Sequence, residues 1–102
     1  MTLRQKQSAF IFKTSLLILY AYELGYELTY GDARRSWDCP YGHPNSNHKR
    51  KLALDLNLFI DGRYIRDDEG HKELHKYWER LGGAPMIKGD PNHYSFEHRG
   101  QS

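Results

Sequence analysis

The sequence predicts an α+β fold, with helices packed on a small, mainly antiparallel sheet in a single domain spanning 1–102. Three observations carry this. Residues 52–60 read Leu-Ala-Leu-Asp-Leu-Asn-Leu-Phe-Ile, a period-two alternation that gives a strand one leucine face. Asp61-Gly62, between that run and Arg63-Tyr64-Ile65, is a two-residue hairpin signal, so the strands beside it run antiparallel. Two helical stretches bracket this core, one apolar between residues 8 and 24 and one amphipathic from about Glu69 to Leu81.

The first stretch carries Phe10, Ile11, Phe12, Leu16, Leu17, Leu19, Tyr20 and Leu24, and Gly25 reads as the residue that ends it. Arg4 and Lys6 before it give the look of a leader. However, Lys13 interrupts the apolar run and no small-x-small cleavage site follows. The run is also short for a membrane span. It is therefore expected to be a core helix, apolar because a small fold buries much of it, with no signal peptide and no stable membrane insertion. Tyr26 to Tyr30 alternates as a strand. In the long strand Leu52, Leu54, Leu56, Leu58 and Ile60 face the core, and Asp55 and Asn57 face away from it.

Asp67 or Asp68 is placed to cap the second helix. Its apolar stripe is Leu74, Tyr77, Trp78 and Leu81, with Trp78 a buried anchor, and Gly82-Gly83 ends it. Asp90-Pro91 opens a turn, and residues 93–98 then read as a short strand with Tyr94 and Phe96 on the core side.

Composition narrows the function without selecting it. Fifteen Lys and Arg against thirteen Asp and Glu leave a net charge of +2, compatible with an anionic polymer such as cell wall or nucleic acid. The single Cys39 makes no internal disulfide and reads as a loop residue. At 102 residues the core is modest, so a bound metal would add to stability as well as to chemistry.

Two imidazoles and two carboxylates stand out. His48 lies in the polar segment before the long strand, Asp55 on that strand's outer face, and Asp90 and His93 around the turn near the C-terminus. Three such groups are enough to hold a catalytic zinc ion with one position left for water, and the fourth can move a proton. Parity in the last strand puts His93, Ser95 and Glu97 on one face and His98 on the other, which selects His93 as the ligand. Asp90 is the expected base, with Glu97 its rival. A second histidine pair, in His71-Lys72-Glu73-Leu74-His75, lies four residues apart on a helix, as in zincins. That motif needs Glu directly after the first His, where this chain has Lys72. These two histidines are expected on a polar, solvent-facing surface, and His43 in a loop.

At these residues the chain resembles the zinc peptidases that include D-alanyl-D-alanine carboxypeptidases and the L-alanyl-D-glutamate endopeptidases of phage endolysins. Ser46, His48, Asp55 and Leu56 match the family's Ser-x-His and following Asp-Leu; Asp90 and His93 match its acidic-x-x-His; Arg35-Ser36 matches its upstream Arg-Ser, and 93–98 resembles the ending of phage members. The three motifs occur in the family's order, and the likeness runs from about Leu16 to His98. The chain departs from the pattern at Arg34, where tyrosine is common, and in 82–89, which lacks the usual aromatic and arginine residues.

The resemblance implies zinc on His48, Asp55 and His93, with Asp90 as catalytic acid and base. It implies that Arg35, with Arg34 competing for the role, contacts substrate and oxyanion, and that Ser46 orients His48 or a substrate carbonyl. The implied substrate is the peptidoglycan stem peptide, cut at L-Ala–D-Glu, with D-alanyl-D-alanine carboxypeptidase activity as the near alternative. The implied protein is a monomer made in the bacterial cytoplasm and acting on the cell wall, with no nucleic-acid partner. A different class of reading would make His48-Lys49-Arg50-Lys51 and the scattered tyrosines a nucleic-acid surface, or the whole chain a non-catalytic zinc-stabilised domain. Phosphate binding explains neither Asp55 nor the Asp90/His93 pair.

Overall fold

A computed structural model of the chain describes residues 2–31 and 52–97. In order these form helix α1 (Leu3–Glu23), strands β1 (Glu27–Gly31), β2 (Ala53–Ile60) and β3 (Arg63–Ile65), helix α2 (Asp68–Arg80) and strand β4 (His93–Ser95). The α+β architecture read from the sequence is the one observed.

Helix α1 begins well before the apolar run. Thr2 accepts the Gln5 amide while the Gln5 side chain accepts the Thr2 amide, a reciprocal cap that satisfies two donors otherwise unpaired at a helix start. Gly25 ends the helix at φ +84°, and the Tyr26 amide folds back onto the Ala21 carbonyl. Only one side of α1 is buried, at Phe10, Thr14, Leu17 and Ala21. It is a core helix on that side, as expected, but Ile11, Phe12, Leu19 and Tyr22 are exposed, so burial does not account for the whole apolar run. The helix is covered on the side that meets α2 and the sheet, and its opposite apolar side faces outward. Lys13, which breaks the apolar run, donates its ammonium to the Leu81 carbonyl at the end of α2, satisfying a carbonyl the helix cannot pair internally.

Strand β2 is the spine of the sheet. β1 pairs antiparallel along one edge, with Gly31 opposite Asp55 and Glu27 opposite Phe59. β3 and β4 share the other edge, β3 against Leu58–Ile60 and β4 against Ala53–Asp55. The β2–β3 connection is the expected two-residue hairpin, with Asp61 and Gly62 both at positive φ. β4 is shorter than the strand read over 93–98, although the Phe96 amide still bonds the Leu52 carbonyl.

One side of each helix joins the leucine face of β2 in a single core. Leu52, Leu56, Leu58, Leu74, Trp78 and Tyr94 are almost completely shielded. Phe10 meets Trp78 and Phe96 edge-on, with ring centres 5.7 and 5.2 Å away, and Trp78 stacks on Phe96 at 5.3 Å. The stripe expected on α2 holds, with Leu74 and Trp78 buried and Tyr77 stacked on Tyr20 of α1. Asp67 is its N-cap, accepting the Gly70 amide at 3.0 Å.

Gly83 does more than stop α2. A Cβ at this position would lie 2.1 Å from the Trp78 indole nitrogen, so the chain passes directly over the ring. This brings the Ala84 amide to the Ser95 carbonyl, which also accepts the Trp78 indole N–H. Gly83→Ala is therefore expected to destabilise the fold by about 1–3 kcal/mol through overpacking against a ring that has no room to shift. Urea melts of the variant and the parent chain measure this; an unchanged midpoint would mean the indole can move aside.

Candidate functional site

The β2–β4 register sets Asp55 directly opposite His93. Both side chains project from the sheet face away from the leucine core, as their parity predicts. His93 Nδ1 lies 3.6 Å from Asp55 Oδ1, and the two side chains are about a tenth exposed. That distance is longer than a good hydrogen bond. On its other flank Asp55 pairs with Gly31, where a Cβ would come 3.1 Å from the Asp55 Cβ and 3.0 Å from Asn57 Oδ1. A side chain at this position would crowd the Asp55 Cβ and the Asn57 amide. Further along this face Asn57 donates to Thr29 Oγ1 and accepts from the Tyr64 hydroxyl, a polar row that continues from the Asp55 position.

The segment leading into β4 is held from several sides. Ile87 and Asp90 form a two-residue bridge, the Asp90 amide bonds the Ile87 carbonyl, and Gly89 sits between them at φ +83°. Asp68, in the first turn of α2, accepts the Gly89 amide on both carboxylate oxygens at 3.3 and 3.2 Å. The Asn92 carbonyl accepts the Leu56 amide at 2.9 Å. Asp90 is exposed at the start of the turn, and its carbonyl accepts the His93 amide. Glu97, the rival base, is exposed beyond the end of β4, where its backbone carbonyl accepts Lys6 Nζ.

Of the residues read from the sequence as a site, Asp55 and His93 are together, with Asp90 three positions before His93. Arg34, Arg35, Ser46 and His48 lie outside the described residues, as do Cys39 and His43. Among the described residues no group of three His, Cys, Asp or Glu side chains stands close enough to hold a metal ion. These residues therefore contribute an imidazole–carboxylate pair. No helix among them is long and apolar enough to cross a membrane.

One expectation is overturned. His71 and His75 do not face solvent; they are 1% and 3% exposed. With Leu74 and Trp78 they occupy the i, i+3, i+4, i+7 positions of the buried stripe of α2. His71 Nδ1 is 2.8 Å from the Tyr94 hydroxyl. His75 Nε2 is 2.6 Å from the Pro91 carbonyl, and the ring stacks on Tyr94 at 4.1 Å and 8°. A carbonyl can only accept, so Nε2 of His75 carries the proton. Burial pushes both histidines down, His71 to about 4 with the neighbouring His75 adding to the effect, so both are neutral at pH 7. Burial also raises Tyr94, which keeps its hydroxyl proton. The helical spacing carried this signal, since both histidines fall in register with Leu74 and Trp78.

Comparison with protein-family models, curated proteins and solved structures gives no match for this chain.

The His71 shift has a definite sign. In the unfolded chain the imidazole takes a proton near pH 6.5, and in the fold only near 4. The unfolded state therefore binds more protons between those values, and stability falls as pH drops through that window. Acidification from pH 7 to 4.5 is expected to cost the fold on the order of 2 kcal/mol through this residue. Urea melts of the metal-free chain check it: His71→Gln should flatten the pH slope, and an identical slope would remove His71 as its source.

Proposed function

We propose that the protein is a zinc-dependent peptidoglycan peptidase that hydrolyses an amide bond of the stem peptide, in the manner of a phage endolysin cutting L-Ala–D-Glu. The observation that carries this reading is the Asp55–His93 pair, 3.6 Å apart across β2 and β4 with Asp90 just upstream. Zinc ligands lie at about 2.0–2.2 Å from the ion, so two corners of a tetrahedral site are about 3.4 Å apart. The 3.6 Å spacing of His93 Nδ1 and Asp55 Oδ1 is compatible with two ligands of one ion. The donor set is also that of hydrolytic zinc sites: imidazole and carboxylate, with His48 as the third ligand.

Zinc, when bound, supplies Lewis acidity and lowers the pKa of water toward neutrality. The chain's own groups do the rest. Asp90, exposed on the turn, takes the proton that the attacking water gives up and returns it to the leaving amine. Arg35, beside Arg34, holds a substrate carboxylate or the developing oxyanion, worth on the order of 3 kcal/mol in a dry site. Ser46 orients His48 or a substrate carbonyl. Acting on the stem peptide makes the cell wall the place of work for a protein made in the cytoplasm.

The test is mass spectrometry of purified peptidoglycan incubated with the chain and zinc. New L-Ala carboxyl ends are expected; released D-Ala would mean D,D-carboxypeptidase activity instead. A chelator should abolish product, and Asp90→Ala should lower the rate by about 100-fold or more with the fold retained. Absence of product at every zinc concentration would remove the hydrolase reading.

A further inference from the structure

Pro91 lies between the candidate base and the candidate ligand, and it is buried. Proline has no N–H, so its carbonyl is the one backbone polar group through which this point of the chain can be held. That carbonyl receives Nε2–H of His75 at 2.6 Å. The next carbonyl, of Asn92, receives the Leu56 amide of β2. Two successive peptide planes between Asp90 and His93 are thus anchored, one by a side chain of α2 and one by the sheet.

The His75 ring has little freedom of its own. It lies flat on Tyr94, whose hydroxyl meets His71, and it is 3% exposed. A neutral ring in this setting presents one N–H in one direction. A lysine or arginine there would bring a buried charge that needs its own partner.

We propose that His75 is the positioning residue of the candidate zinc site, holding the Pro91 carbonyl so that the segment from Asp90 to His93 presents its carboxylate and imidazole in working geometry. This rests on the zinc peptidase reading. His75 touches neither substrate nor metal, and acts through the backbone of the turn. A donor with similar reach should replace it, and a ring without a donor should not.

The experiment compares the full chain, zinc-loaded, with His75→Phe and His75→Gln. The first keeps a ring on Tyr94 and removes the donor; the second supplies an amide N–H at similar reach. Readouts are kcat and KM on purified peptidoglycan fragments, and amide hydrogen exchange by NMR at Leu56 and His93. His75→Phe is expected to lower kcat by about 10–100-fold, the usual range for losing an outer support of a metal site, with KM changed by less than about threefold. Exchange should quicken at Leu56 and His93 and stay unchanged at amides bonded between β1 and β2. His75→Gln should recover most of both. If His75→Phe does not fold, His75→Asn takes its place, since its shorter side chain falls short of Pro91.

Equal kcat in the donor and non-donor variants, with only melting temperature reduced, would overturn the inference. A parent chain with no peptidase activity would sink the hydrolase reading, and the exchange pattern would then decide the role of His75 alone. Local loss in the Phe variant and recovery in the Gln variant supports it; unaltered exchange refutes it.

Discussion

The arrangement depends on one short ladder, the pairing of Ala53–Asp55 with His93–Ser95. Strand alternation splits its consequences between two faces. Leu54 and Tyr94 meet on the core side, and Asp55 and His93 meet on the other. Three residue pairs are too few to hold a strand unaided. The ladder persists because α2 and the segment after it grip β4: the Trp78 indole and the Ala84 amide both bond the Ser95 carbonyl, and His71 meets the Tyr94 hydroxyl. Buried polar groups cost free energy when unpaired, so each of these bonds penalises departure of β4 more than it rewards its presence.

Around that grip the aromatic residues form one connected cluster. Phe10 from α1, Trp78 from α2 and Phe96 after β4 contact each other in edge-on and stacked arrangements. Each favourable ring pair adds about 0.5–1.5 kcal/mol beyond the area it buries. The cluster joins the N-terminal helix to the C-terminal strand, elements far apart in sequence. Lys13 closes the same junction from the polar side by capping α2.

Much of this was legible in the residues. The leucine alternation, Asp61-Gly62, the Asp67 cap and Gly25 each carry a local physical signal, and each element stands where that signal puts it. Thr2 and Gln5 carried an equally local signal for the start of α1, and the apolar run beginning later obscured it. For His71 and His75 residue type points to solvent, while their spacing with Leu74 and Trp78 points to the core. A neutral imidazole is amphipathic enough to line a core when one nitrogen finds a partner, and the partners Tyr94 and Pro91 are distant in sequence. For the site, parity gave the correct face for Asp55 and for His93. Their meeting across two strands depends on register, which is set by tertiary packing and by no neighbouring residue.

That register puts core and chemistry in one reading frame. An extra residue ahead of Asp90 lengthens a loop and leaves the strand's phase intact. An extra residue inside 93–95 would invert every side chain on one side of it, sending either the imidazole toward the leucines or the tyrosine toward the carboxylate. Length variation among descendants of this chain should therefore gather ahead of Asp90, while the anchored turn and the three positions of β4 keep their phase as a unit.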